Sequence, residues 1–379
     1  MKSLYTVERL PETAKLTVGI LSKNGEQRLE RLLAEVSQYA DQIVVGIDAD
    51  STDQSYEIAA RFADVVFRFK HGGELSAARM LIFDYAKGDW ILALDDDESL
   101  EPGLQTLLPS LMANPIATHF WFPRKWIVGA EPYEFLFAPP WYPDWQLRLF
   151  RNDRSQVWKP ARPHSGYHVA GPGLFISEAA ILHMERLWCT PQERQAKLEN
   201  YRAKGATGAW ESHYQPSDGA PLRPCVGPQA VTMKRRDKAL LPHAVHDVTQ
   251  PAGPVWDMEV IRVDMAEASH CGQDLVAEVR LRNTGSLAWW PSWGLRSATI
   301  NFGHHLLDAN RKLIQWDCER TQTLDYVPPG TETTLFHRFR APSEPGDYIL
   351  EWDMVSEGDR WFQQGARPLA FSPLRVVRR

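Results

Sequence analysis

Four acidic residues stand together as Asp95-Asp96-Asp97-Glu98, directly after the apolar run WILAL. Adjacent carboxylates repel one another, and a plain fold does not call for four of them at one point. A hard divalent cation relieves that repulsion, and oxygen-only ligands favour Mg²⁺ or Mn²⁺ over zinc. Alternate residues of a strand point the same way, so Asp95 and Asp97 are expected on one side, meeting a metal that holds a diphosphate. The competing reading is an acidic turn that caps the next helix through Ser99 or Glu98. Two further polar groups follow apolar runs in the same manner: Lys23-Asn24 after LTVGIL, and Asp48 to Asp53 after IVVGI.

These groups meet only if the intervening elements bring them together. LTVGIL and IVVGI suit buried strands, as do the runs beginning at Val65 and at Trp90. Between the first two, Leu29, Leu32, Leu33 and Val36 recur at helical spacing. Ser51, Thr52 and Asp53 can cap a second helix that turns Ile58, Ala59 and Phe62 inward. Glu74 to Ala86 reads as a third helix with Gly88 as its C-terminal signal, and Pro102 stands where a first helical turn tolerates it. Strict strand–helix alternation means βαβ units and a mainly parallel, Rossmann-like α/β sheet. Ligands bind at the carboxyl ends of such strands, which places all three polar groups along one edge. With the cleft so assembled, the metal reading is preferred over the helix cap.

Further along, residues 119–167 are crowded with aromatics and prolines, and QLRLFR alternates like a half-exposed strand. Pro191 to Lys204 reads as a helix. From about Ser212 to Pro254 prolines dominate, as in an extended connector. From Trp256 onward, short alternating segments separated by turn signals (NTG, PPGT, EPGD) are the pattern of an all-β, immunoglobulin-like sandwich. The expected organisation is a catalytic domain over 1–211, a connector over 212–254 and the sandwich over 255–379. The net charge of −6 offers no basic block, which excludes a nucleic-acid footprint. The four cysteines are scattered without metal spacing and read as free thiols. No apolar run reaches signal-peptide or transmembrane length, so a cytoplasmic protein is expected, free or peripheral at the inner membrane face.

The stretches IVVGIDADSTDQSYEIAARFADVVF, AAR and GDWILALDDDE resemble the inverting family 2 glycosyltransferases of the GT-A fold. The similarity runs from about Leu16 to Lys204 and is strongest between Ile43 and Pro102. It implies a nucleotide-sugar donor, UDP- or GDP-linked by default, with Asp48 on the nucleoside and a DxD motif at Asp95 and Asp97. In that motif the first aspartate reaches the ribose side and the second binds Mn²⁺ or Mg²⁺. Arg79 matches an arginine facing the donor phosphates, and Lys23, Asn24, Asp50 and Asp96 line the same edge. Asp50 stands where the family carries glycine, and Met80 where asparagine is common. YPDWQLRLFRN…RPHSGYH is similar to a branch acting on lipopolysaccharide cores and related glycans. That branch often reads HE where this chain has His164-Ser165, and His164 is a candidate for the metal or the diphosphate.

Inverting transfer needs a carboxylate to take the acceptor hydroxyl's proton, and position and likeness nominate Asp144, just before QLRLFR. An Asp capping a turn after Pro143 is the structural alternative. His183 and Arg148 are weaker candidates for the phosphates. Trp126, Trp141, Tyr142 and Trp145 form either an acceptor wall for a glycan or glycolipid or an apolar surface for docking on a membrane or the C-terminal domain. For that domain a scaffold or homodimerisation role is preferred to glycan binding. The rival from another class is a non-catalytic carbohydrate-binding scaffold of glycan assembly, which would not need Asp48, Asp95 and Asp97 at the strand ends.

Overall fold

The structure is a computed structural model. It describes residues 14–378 except 73–74, 131, 160–165, 204–207, 215–216, 218, 229, 233–238, 243, 249–255, 291–298, 324, 358–359 and 363–369. The described residues fall into two compact units. One lies within Met1–Asn152, Lys159–Tyr167 and Pro172–Gly253, the other within Asp153–Trp158, His168–Gly171 and Pro254–Arg379.

The first unit is built on β1 (Leu16–Ser22), β2 (Gln42–Asp48), β3 (Val65–Lys70) and β4 (Trp90–Asp95). They pair in parallel in the order β4-β1-β2-β3. Every residue of β1 and β2 is buried, the condition of a parallel strand covered on both faces and the reason these segments are unbroken apolar runs. Helices α1 (Glu26–Val36) and α2 (Ser55–Phe62) join them. Leu29, Leu32, Leu33 and Val36 of α1 share one core with Ile58 and Ala59 of α2. At ~1.5–3 kcal/mol per large aliphatic side chain, this buried face rather than local propensity holds the helices.

The expected third helix is less regular. A 3-10 stretch, Leu75–Leu81, leads into the single turn α3 (Ile82–Tyr85). Ile82 sits on Gly19 of β1, where an added Cβ would come within 2.7 Å of its Cγ2. Seating on the sheet, not helix propensity, sets this path.

After β4 come β5 (Glu98–Leu100), α4 (Pro102–Met112), β6 (His119–Ala130), β7 (Tyr133–Leu136) and β8 (Asp144–Arg151). β8 runs antiparallel between β4 and β6, and β7 runs antiparallel to β6. The sheet is therefore mixed, where a mainly parallel one was expected. The short links among β6, β7 and β8 hold no crossover helix, and without one neighbouring strands run antiparallel. The proline-rich stretch contributes Leu222–Pro224 beside β7 and Val245–Asp247 beside β3, pairing both open edges of this sheet.

In the second unit, Met258–Asp264, Asp274–Asn283 and Glu332–Arg340 form one sheet. A larger one is centred on Ile300–Asp308, Gly346–Ser356 and Ala370–Val377. Leu275, Ala277, Val279 and Leu281 alternate with exposed neighbours and pack in one cluster with Phe302, Leu350, Trp352 and Val376. The two sheets thus close on a common core. Trp289 is fully buried there. Cys189, Cys225, Cys271 and Cys318 are free thiols. Among the described residues no helix is long and apolar enough to cross a membrane.

Candidate active site

Parallel register brings the carboxyl ends of β1, β2 and β4 level, with Leu21 opposite both Gly46 and Asp95. The loops that follow are stitched together. Asn24 adopts the left-handed region (φ 49°), which asparagine enters more readily than most residues. Its Oδ1 accepts the Thr52 N–H at 2.9 Å. The Gly25 N–H donates to Ser55 Oγ (2.7 Å) and the Glu26 N–H to Asp53 Oδ2 (2.9 Å). Asp53 also accepts the Ser55 N–H at 3.1 Å from the position before the helix N-cap, which is Gln54 and makes no side-chain cap bond, so none of Ser51, Thr52 and Asp53 is the cap. Asn24 is thus occupied in holding the loops. At Gly25 a Cβ would lie 2.1 Å from Ser22 Oγ and 2.8 Å from Asp96 Oδ2, so this position must lack a side chain.

Asp48 ends β2 with its carboxylate buried. Lys23 Nζ lies 2.7 Å and His71 Nε2 3.0 Å from its Oδ2, and its Oδ1 accepts the Asp50 N–H at 3.0 Å. Burial pushes the Asp48 carboxyl up, but Lys23, His71 and the Asp50 N–H outweigh it and hold it below the usual range. Asp50, which stands where the family carries glycine, is exposed and takes no positive φ, whereas Asn24 does. An Asx turn onto Asp48 fixes Asp50's backbone.

The four acids do not share one direction. β4 ends at Asp95, and Asp96 and Asp97 lie in a turn, so strand alternation no longer governs them. Asp95 pairs with Arg79 (2.6 Å) and Arg148 (2.8 Å). Asp96 accepts from Ser22 Oγ (2.5 Å) and Arg28 (3.0 Å). Glu98 is fully buried and held by Arg148 through two bonds of 2.8 and 2.9 Å, with Arg124 at 3.4 Å. Arginines rather than a cation thus relieve most of the repulsion. Asp97 differs. Among the described residues its one ion-pair partner is His183, whose Nε2 lies 3.4 Å from Asp97 Oδ2. Burial raises the Asp95 and Asp97 carboxyls, yet Arg79 and Arg148 beside the first and His183 beside the second bring both well below the usual range. Burial pushes Asp96 up despite Arg28, and Asp97 adds to the rise.

His183 ends the strand Ile181–His183, which pairs with both β5 and β6 and so stands opposite Glu98 and Trp126. Its Nδ1 is buried without a hydrogen-bond partner. Arg148, for which a solvated strand face was equally open, is instead buried in the acid cluster. His164 lies outside the described residues.

Asp144 is the first residue of β8, not the loop before it. Its Oδ2 accepts from Arg124 Nη2 (2.7 Å) and Trp126 Nε1 (2.9 Å), its Oδ1 from Gln146 (2.8 Å), and His213 Nε2 is 3.8 Å away. Burial favours the neutral acid, but Arg124 and His213 overcome it, so Asp144 is an ionised carboxylate. One chain of alternating charge runs Asp144–Arg124–Glu98–Arg148–Asp95–Arg79. It ties the residue nominated as base to the first aspartate of the DxD.

The aromatic candidates separate. Trp126 is 1% and Trp141 8% exposed, so neither presents a stacking face. Trp126 lies against His183 and His213 (centroids 4.2 and 5.4 Å), and Trp141 Nε1 donates to the His213 carbonyl. Tyr142 packs on Phe135 and Phe137. Trp145 is half-buried and meets the exposed Phe175 at 5.0 Å, with Trp121 stacked on the other side of Phe175 at 5.7 Å. Trp121, Phe175 and Trp145 thus form an accessible aromatic group. Sequence reading missed Phe175, Arg28, His71, Arg124 and His213. Only Arg124 carried a signal, as a charge inside an apolar β6; the rest arrive by tertiary contact.

Residues 17–167 match the family described as Glycosyl transferase family 2. Residues 264–365 match an Ig-like domain from next to BRCA1 gene. The chain is 34% identical over 105 residues to an uncharacterized glycosyltransferase of Rickettsia bellii, 27% of this chain and 34% of that protein. It is 31% identical over 99 residues to the SPbeta prophage-derived glycosyltransferase SunS of Bacillus subtilis, 26% of this chain and 23% of that one. The chain thus spans about a third or less of the length of these relatives. The crystal structure of S. aureus TarS 1-349 is 15% identical, covering 53% of this chain and 68% of that one, with a TM-score of 0.36, too low to fix a common fold. Lys23, Asp48, Arg79, the four acids and Asp144 all lie within the segment that matches the Glycosyl transferase family 2 model.

Proposed function

We propose that the first unit transfers a sugar, with inversion, from a nucleotide-diphosphate donor to a glycan or glycolipid acceptor. Within the family 2 segment, Asp97 is the one acid of the cluster that no described arginine or lysine pairs, and it faces an imidazole 3.4 Å away. That observation carries the reading. A carboxylate oxygen and a ring nitrogen at that spacing fit a divalent ion, and the nitrogen favours Mn²⁺ over Mg²⁺. Asp97 and His183 would hold it, in place of the Asp95–Asp97 pair expected from strand geometry. A bound ion supplies charge stabilisation to the leaving diphosphate.

The chain's own residues supply the rest. Asp48, with Lys23 and His71 around it, accepts hydrogen bonds from the nucleoside. Arg79 spans Asp95 and the donor phosphates. Asp144, kept ionised by Arg124, takes the acceptor hydroxyl's proton, and Trp145 with Phe175 offers the acceptor a stacking surface. We place the activity on the cytoplasmic side, and the second unit serves as an immunoglobulin-like scaffold. The test is a thermal-shift panel of UDP-, GDP-, ADP- and CDP-sugars with and without Mn²⁺. A shift for one nucleotide that needs the metal and vanishes in Asp97→Ala is expected. A folded protein that responds to no donor, or responds without metal, would be a carbohydrate-binding scaffold instead.

A further inference from the structure

His304, Cys318 and Glu319 lie in the second unit. His304 belongs to the strand Ile300–Asp308. Cys318 and Glu319 occupy the turn between Leu313–Gln315 and Arg320–Gln322, two strands that pair with it. Each of the three offers one ligand atom, and these atoms all lie within 4.8 Å of one another. His304 Nε2 and Glu319 Oε2 are 4.0 Å apart.

The surroundings orient these atoms. His304 Nδ1 meets His337 Nε2 at 3.0 Å, and His337 Nδ1 meets Thr321 Oγ1 at 2.9 Å. The two contacts are satisfied by a relay in either direction, and the direction that frees His304 Nε2 as a ligand has each imidazole protonated on Nδ1. His304 then donates to His337, and His337 donates to Thr321. That arrangement leaves the lone pair of His304 Nε2 facing the thiol and the carboxylate. Such a relay behind a ligating imidazole fixes its tautomer and ring plane. Glu319 is steered likewise. Its Oε1 accepts the Arg340 N–H at 3.1 Å, which leaves Oε2 towards His304. All three side chains line a pocket of about 640 Å³, with Arg340, Leu306 and Gln315 also on its wall.

We propose that His304 Nε2, Cys318 Sγ and a Glu319 carboxylate oxygen form a binding site for a zinc-class divalent ion, with a fourth position open to this pocket. Nitrogen, sulfur and oxygen together suit a borderline ion and disfavour Mg²⁺ and Ca²⁺. Three protein ligands and one open position leave room for a water or an incoming oxygen donor. Binding replaces the Cys318 thiol proton with the metal–sulfur bond, so one proton is released per ion bound. The site is chemically distinct from the pair Asp97 and His183, which contains no sulfur.

The full chain, stripped with a chelator and titrated with Co²⁺, tests this. The expected result is a thiolate-to-cobalt charge-transfer band that saturates at one Co²⁺ per chain and that Zn²⁺ displaces. Asp97→Ala leaves that band intact, and Cys318→Ser removes it while near-ultraviolet circular dichroism shows the second unit still folded. Glu319→Gln, at an exposed side chain, weakens Zn²⁺ binding by about tenfold or more. No charge-transfer band in the wild-type chain overturns the site. So does a band that survives Cys318→Ser, or Zn²⁺ affinity unchanged in Glu319→Gln.

Discussion

Replacing Arg148 by methionine should destabilise the first unit by about 3–5 kcal/mol, the cost of leaving a buried charge without its partner. Arg148 is 4% exposed and its guanidinium makes three charged hydrogen bonds of 2.8–2.9 Å, two to Glu98 and one to Asp95. Methionine keeps most of the apolar stem and removes the charge. Asp95 retains Arg79, so the loss falls on Glu98, which has no exposure and keeps the Asp95 N–H at 3.1 Å and, as its charged partner, Arg124 at 3.4 Å. For a unit of this size each kcal/mol lowers Tm by roughly 2–4 °C, so calorimetry should show the first unit melting about 6–20 °C lower. The melting of the second unit should not move. Glu98→Gln strands Arg148 in turn, so the double variant should cost less than the sum of the singles by about 1 kcal/mol or more. A drop below about 2 °C in Arg148→Met, or strict additivity in the cycle, would refute the network.

Four other outcomes are expected. In the donor panel, Asp97→Ala should lose the metal-dependent part of the thermal shift, and retention of that part would remove Asp97 from the metal site. Asp144→Asn should abolish transfer and spare donor binding; near-wild-type turnover would sink its assignment as base. Gly25→Ala should cost about 1–3 kcal/mol in urea unfolding, because the new methyl collides with Ser22 and Asp96; an unchanged midpoint would contradict that packing. Burial pushes His119 down to about 4 from an ordinary 6.5. The unfolded chain therefore takes up a proton near pH 6.5 that folded His119 refuses until about pH 4, and stability falls as pH descends through that window. The contribution is at most about 3 kcal/mol, because each tenfold loss of proton affinity is worth about 1.4 kcal/mol, and His119→Leu should flatten that part of the profile.

How much of the site could be read in advance differs residue by residue. Asp48, Asp95 and Asp97 announce themselves because each follows an apolar run that ends a parallel strand, and parallel register places strand ends level. The direction of Asp97 could not be read. Alternation holds within a strand and stops where β4 gives way to a turn. Arg148 had an ambiguous pattern, since a polar residue alternating with apolar ones faces either solvent or a buried acid. Only the pairing of β8 beside β4 decides between them. His213 and Phe175 reach Asp144 and Trp145 from distant stretches, which no local spacing encodes.

By itself, the amino-acid order determined the strand–helix alternation of the first unit, the all-β pattern of the second, and the two acidic strand ends. These follow from periodicity and burial, which act over a few residues. Tertiary structure alone decided that the sheet is mixed and that arginines neutralise three of the four acids. It alone gave Asp97 an imidazole for a partner and brought His304, Cys318 and Glu319 within reach of one another. Those outcomes depend on which strands pair and on charges meeting across the fold, and such contacts form only once the chain has packed.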